Sequence, residues 1–186
     1  MSKIVTYAKE AAIFWHGNQD HGCLKIGEHL ADVAKNVGKH FNKSWRCDCD
    51  STRFKDEVVA AAWLHDVIED TKMTQARLLV DLKANCEHGD YIAELVGLLT
   101  DKKGKSRKER HLNTYYAIRP SPHATLIKLC DRRHNQARSI KHGEIYAAMY
   151  AKEFDYFKFA LWQPNEYVDL WEELDDQNRK MQEILG

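Results

Sequence analysis

Residues 26–41 place Ile26, Leu30, Val33, Ala34, Val37 and Phe41 at three- and four-residue spacing. Apolar residues on that period line one face of an α-helix and need a partner surface to cover them. Similar patterns run over roughly 3–16, 54–70, 74–84, 90–100, 107–118, 123–139, 143–161 and 165–184. Only three prolines occur, and no stretch alternates apolar and polar residues as a half-buried strand does. The pattern predicts an all-α fold of about eight or nine helices.

The breaks are few. Residues 42–53 (NKSWRCDCDSTR) are polar and irregular, 85–89 (NCEHG) read as a turn, and 100–106 (TDKKGKS) combine a glycine with many charges. Arg119-Pro120-Ser121-Pro122 forces a non-helical joint, because each proline disfavours helix in the residue before it. No repeat, low-complexity tract or linker is visible, and 186 residues suit one domain spanning 1–186. Within it, 165–184 carries Trp171, Leu174 and Met181 at helical spacing, as a C-terminal helix that packs on the bundle or on a second copy.

Charge and cysteine content narrow the function classes. Acidic and basic residues balance at 28 each, which argues against a general nucleic-acid binder. No apolar run approaches the roughly 20 residues that span a bilayer. The five cysteines (Cys23, Cys47, Cys49, Cys86 and Cys130) form no regular framework, and no signal peptide is evident. A reducing, cytoplasmic setting is expected. Cys47-Asp48-Cys49 is too tightly spaced for a usual zinc pair and reads as structural or incidental.

The chemistry concentrates at HDVIEDT, residues 65–71, directly after the apolar run AAAWL at 60–64. On one helix, His65 and Glu69 share a face, as do Asp66 and Asp70, and the neighbours His65 and Asp66 stand about 100° apart. Three carboxylates so close repel one another unless a cation or protons intervene. A solvated helix end is the plain alternative. Against it, Trp63, Leu64, Val67 and Ile68 set the group at core depth, and acids in a last turn oppose the helix dipole. His plus Asp is a common ligand pair for manganese, iron or zinc. Two further residues suit such a cation. Asp131 sits in the apolar segment ATLIKLCDRRHNQA (124–137), with Asn135 one turn on, and His29 lies beside the inner stripe of the first amphipathic helix. Ordinary salt bridging of Asp131 and a hydrogen-bonded core histidine are the alternatives for these two.

Together these pieces resemble the HD-domain metal-dependent phosphohydrolases, all-α proteins with the ligand order His, His-Asp, then a later Asp. A narrower likeness lies in HDVIEDT, which is similar to the HDxxEDT stretch of the hydrolase domains of RelA/SpoT-type alarmone enzymes. IKLCDRRHN is similar to their (I/V)KLADRLHN segment, and LLTDKKGKSRKERHLNTYY resembles the joining stretch of small single-domain alarmone hydrolases. The likeness spans about residues 5–160. It implies a manganese-dependent enzyme that removes the 3′-pyrophosphate of (p)ppGpp. By motif position, His29, His65, Asp66 and Asp131 would hold the metal, Glu69 and Asp70 would activate water, and Asn135 would lie near the nucleotide.

A substrate so rich in phosphate needs cations, and residues 101–110 (DKKGKSRKER) carry six basic and two acidic residues. Arg110 is the first choice among Lys102, Lys103, Lys105, Arg107, Lys108 and Arg110, since it matches the ER pair of the small hydrolases. Lys128 lies three residues before Asp131 and is a second choice. Tyr115 and Tyr116 suit either base stacking or the core. The chain departs from the resembled pattern in three places. KIGEHLADVA stands for the usual YIxHP region, HGNQDHG lacks the basic pair near guanine, and RRHN replaces RLHN. His16, Gln19 or Lys25 are the substitutes for the base contact. The expected partner is a small nucleotide, with no nucleic acid and no membrane. The alternatives are an HD-type nucleotidase or nucleoside triphosphate hydrolase, and a non-catalytic helical nucleotide sensor.

Overall fold

A computed structural model describes residues 2–22, 24–41, 54–142 and 144–186. The expected irregular segment 42–53 and the residues Cys23, Cys47 and Cys49 lie outside the described residues. Cys86 and Cys130 are both buried free thiols.

The chain is an all-α bundle. α1 (Lys3–His16) is followed by a small antiparallel pair, β1 (Asp20–His21) and β2 (Leu24–Lys25), then α2 (Ile26–His40). Next come α3 (Lys55–Leu64), a single turn α4 (Val67–Asp70), α5 (Gln75–Asn85), α6 (Gly89–Leu99) and α7 (Arg107–Ile118). α8 (Pro122–His142), α9 (Glu144–Leu161) and α10 (Val168–Leu185) complete it. Several boundaries follow from local chemistry. The Ser2, Thr74 and Ser106 side chains accept from the backbone N–H groups of Val5, Arg77 and Glu109, capping α1, α5 and α7. Pro122 begins α8, where its missing N–H costs nothing, and the Ser121 hydroxyl accepts from the Ala124 N–H at 3.3 Å.

α3 is the centre of the bundle, packed on α1, α2 and α6 and touching α8. Its Ala60, Ala61 and Ala62 are fully buried, and these small side chains let the surrounding helices approach closely. α8 contributes the fully buried Leu126, Ile127, Leu129 and Cys130 and packs on α2, α9 and α10. α10 buries Leu170, Trp171, Leu174 and Met181 and packs on α8 and α9. No helix among the described residues is long and apolar enough to cross a membrane.

Three expectations change. The helix anticipated over 54–70 stops at Leu64 and resumes for one turn at Val67. Asp66 sits at φ −95°, ψ −4°, outside ideal helix geometry. The Ala62 carbonyl accepts the Nδ1–H of His65 at 2.8 Å, so a side chain takes an acceptor that a continuing helix uses for backbone. The C-terminal helix begins at Val168 rather than 165, because Asn165 (φ 63°) and Tyr167 (φ 51°) are left-handed. The paired strands were not anticipated, since two residues each are too short to show alternation.

Candidate metal centre

The helix break after Leu64 turns His65 and Asp66 toward His29 on α2. His29 Nε2 stands 3.3 Å from His65 Nε2 and 3.4 Å from Asp66 Oδ2, and His65 Nε2 is 3.2 Å from Asp66 Oδ1. The ligand atoms of these three residues all lie within 4.8 Å of one another. Asp131, from α8, adds its Oδ1 at 3.5 Å from His29 Nε2 and 3.8 Å from His65 Nε2. The four side chains singled out in the sequence therefore meet at one point. His29 is fully buried, and His65 and Asp131 are nearly so.

The surroundings fix how these groups face. A carbonyl only accepts, so His65 must carry hydrogen on Nδ1 to bond Ala62, which leaves Nε2 for the cluster. Asp131 is held by Lys128 Nζ at 2.9 Å on Oδ2 and by the Asn135 amide at 2.6 Å on Oδ1. The Asn135 oxygen in turn accepts from His21 Nε2 at 3.2 Å, and the His21 ring stacks on His29 with centroids 4.3 Å apart. His21 is held from the β-turn, where Arg138 Nη1 donates to its carbonyl at 2.5 Å. Gly22 (φ 64°) suits that turn, because a left-handed backbone strains a residue with a Cβ.

Charge balance sets the protonation. Burial pushes His29 down to about 4, despite the nearby Asp66 and Asp131 carboxylates. Burial works against a charged His65 too, but Asp66 and Asp131 outweigh it and raise His65 to about 9. Burial alone would raise Asp66 and Asp131. His65 and His29 instead hold Asp66 well below the usual carboxylate range, and Lys128 with the same imidazoles does so for Asp131. Without a metal, His65 and Lys128 are thus the cations that balance the two acids. Two buried imidazoles and two ionised carboxylates form an N₂O₂ donor set that suits a divalent manganese, iron or zinc ion.

The cluster opens into a cleft of about 230 Å³ whose walls include Asp66, Glu69, Asp70, Asp131, Lys128, Arg107, Arg132, Tyr115, Tyr150 and Asn135. Glu69 and Asp70 lie at the acidic side, with one edge in solvent. Burial raises both carboxyls, aided at Asp70 by the Asp66 charge. The Glu69 Oε1 accepts from the Asp101 N–H at 2.5 Å, tying the 101–106 loop to the cleft. Lys128 lines the same cleft, bonded to Asp131.

Other expected substrate contacts sit differently. Arg110 does not line the cleft; its guanidinium faces Asp101 at 3.9 Å. Arg107, one turn earlier and at the start of α7, lines it instead. Lys25 is exposed and bonded to Asp20 at 2.5 Å and to the Asn18 carbonyl, away from the cleft. Asn135 lines the cleft, but its amide is bonded to Asp131 and His21. Tyr115 is buried with its hydroxyl accepting from Arg132, whereas Tyr116 is exposed on the surface. Sequence reading missed Arg132, Glu153, Tyr150, His111 and His21. Arg132 and Glu153 form a buried pair at 3.4 Å, and Arg107 Nε bonds the other Glu153 oxygen at 2.6 Å. The only available signal was the second arginine-bearing half of CDRRHN, which spacing alone reads as a salt bridge.

No protein-family model matches the chain, and no curated protein matches it.

Proposed function

We propose that this protein is a metal-dependent phosphohydrolase of the HD type, acting on a pyrophosphorylated nucleotide such as (p)ppGpp by releasing its 3′-pyrophosphate. The observation that carries the reading is the meeting of His29 from α2, His65 and Asp66 from the break between α3 and α4, and Asp131 from α8, beside a cleft lined in part by cations. Those four residues would hold the cation, most fittingly manganese. When bound, it would supply Lewis acidity toward a phosphoryl oxygen and lower the pKa of nearby water.

The chain's own groups divide the remaining work. Glu69 lies in the same cleft, and its raised carboxyl suits it to accept a proton from water at the cleft mouth. Asp70 stands beside it with the same upward shift and can relay that proton outward. Lys128, bonded to Asp131, and the half-exposed Arg107, bonded to Glu153, offer positive charge to the phosphates, while the buried Arg132 pairs with the same Glu153 and shapes the wall. Tyr150 presents an aromatic surface on the same wall.

A second reading, an HD-type nucleotidase or nucleoside triphosphate hydrolase, is favoured by one observation. Lys25, the cation expected near a guanine, is paired with Asp20 outside the cleft. Product analysis separates the two. The protein is incubated with (p)ppGpp, an adenine analogue and nucleoside triphosphates, with and without Mn²⁺, and pyrophosphate is measured against monophosphate. Mn²⁺-dependent pyrophosphate release that disappears in Asp66→Ala supports the first reading, and monophosphate release supports the second. No Mn²⁺-dependent turnover of any of them overturns both.

A further inference from the structure

His29 faces the cluster through Nε2, yet its other ring nitrogen, Nδ1, is buried and has no hydrogen-bond partner among the described residues. A buried ring nitrogen without a partner is costly, and it leaves the tautomer of a ligand histidine undecided. The His134 ring packs edge-on against His29, at a centroid distance of 4.7 Å and an interplanar angle of 73°. Its Nε2 is likewise buried and without a partner among the described residues. The opposite nitrogen of His134 is committed: Nδ1 stands 2.9 Å from Asp32 Oδ2. Asp32 is ionised, held below the usual carboxylate range first by that bond, so it accepts and His134 Nδ1 donates.

The two helices repeat one spacing. His29 and Asp32 are three apart on α2, and Asp131 and His134 are three apart on α8. Each helix therefore gives one member to the cluster and one to the group behind it. Arg133 closes the outer side, bonding Asp32 at 3.3 Å and ion-paired with Glu173 of α10 at 2.7 Å.

We propose that His134, oriented by Asp32, is a positioning residue that accepts the Nδ1–H of His29 and so directs the His29 Nε2 lone pair into the cluster. Such a bond would satisfy both unpartnered nitrogens at once. Carboxylate–histidine support of this kind fixes a ligand's tautomer and raises its basicity. The proposal rests on the metal-centre reading for its consequence, but the tautomer it assigns is a property of the metal-free protein too.

The test has two readouts. Nitrogen-15 NMR of the histidine rings in the metal-free protein should show His29 in the Nδ1–H form in wild type, and a mixture of forms in His134→Leu. Titration with Mn²⁺, read by loss of the free-ion EPR signal, should show about 10- to 100-fold weaker binding in His134→Leu. His134→Gln, whose amide oxygen can still accept, should recover part of that loss. Asp32→Asn, at a partly exposed position, should weaken binding in the same direction and covers the case in which His134→Leu does not fold. An unchanged His29 tautomer, or equal Mn²⁺ affinity in folded Asp32→Asn and His134 variants, overturns the proposal. If wild type shows the Nδ1–H form but binds no Mn²⁺, the metal-centre reading fails while the His134 bond stands.

Discussion

Glu153→Gln removes the only acidic group bonded to Arg132 among the described residues. The Arg132 side chain is 4% exposed and that of Glu153 8%, so neutralising the acid leaves a nearly buried guanidinium without its anion. Breaking a buried pair from one side costs about 3–5 kcal/mol. Arg132 retains the Tyr115 hydroxyl at 3.2 Å and the faces of Tyr150 and Phe157 at 4.8 and 4.5 Å. Those contacts place the expected loss at the lower end, ~3 kcal/mol, on the order of 100-fold in the unfolding equilibrium. The Arg107 contact to the same acid adds little, because the Arg107 side chain is 47% exposed and solvent screens it. Urea unfolding at neutral pH, followed by circular dichroism, measures the effect. Arg107→Met serves as the control, with an expected cost below about 1 kcal/mol. A loss under about 1 kcal/mol in Glu153→Gln, or equal losses in the two variants, refutes the reasoning that burial of Arg132 sets the cost.

Further expectations follow from the cluster and the cleft. Glu69→Gln should lower turnover of the pyrophosphorylated nucleotide by about 10²–10⁴-fold while leaving Mn²⁺ affinity within a few-fold; unchanged turnover removes Glu69 from the proton-accepting role. Mn²⁺ at a hundred times its dissociation constant should stabilise wild type by about 2.7 kcal/mol, read as a shift in thermal midpoint, and should not stabilise Asp66→Ala. Stability of the metal-free protein should depend on pH in two windows. His111 and His123 are pushed down to about 4 by burial, so they stay neutral in the fold but protonate when unfolded. Their contribution is present above about 6.5 and lost as pH falls toward 4. His65, raised to about 9, behaves oppositely: its contribution is complete below about 6.5 and lost as pH rises through 9. Urea midpoints across this range should fall on both sides, and a flat alkaline limb would contradict the charged state assigned to His65.

Much of the bundle was legible because amphipathic helices write their period directly into the chain. Ile26, Leu30, Val33 and Val37 are all buried on α2, as their spacing requires. The cluster was legible for a different reason: His65-Asp66 and Asp131 are polar residues set in apolar runs, and such residues need partners. The interruption after Leu64 was not legible. No glycine or proline marks it, and the competing acceptor is a side chain one residue beyond the helix. The basic stretch 101–110 shows the limit of composition. It holds six cations, yet facing is decided by where α7 starts, and Ser106 capping puts Arg107 in the cleft and Arg110 against Asp101. Arg132, Glu153 and His134 were hidden because their roles come from contacts between α8 and elements distant in the chain.

The cluster joins α2, the end of α3 and α8, so its members are spread from residue 29 to residue 131 of the 186. A ribosome that has released only α1–α7 has made His29, His65 and Asp66 but not Asp131, nor the Lys128 and Asn135 that hold it. Under the proposed function, such a nascent or prematurely ended polypeptide would grip the ion poorly and cut nothing. Loading of the ion would then follow completion of the fold, which keeps half-built copies from consuming nucleotide.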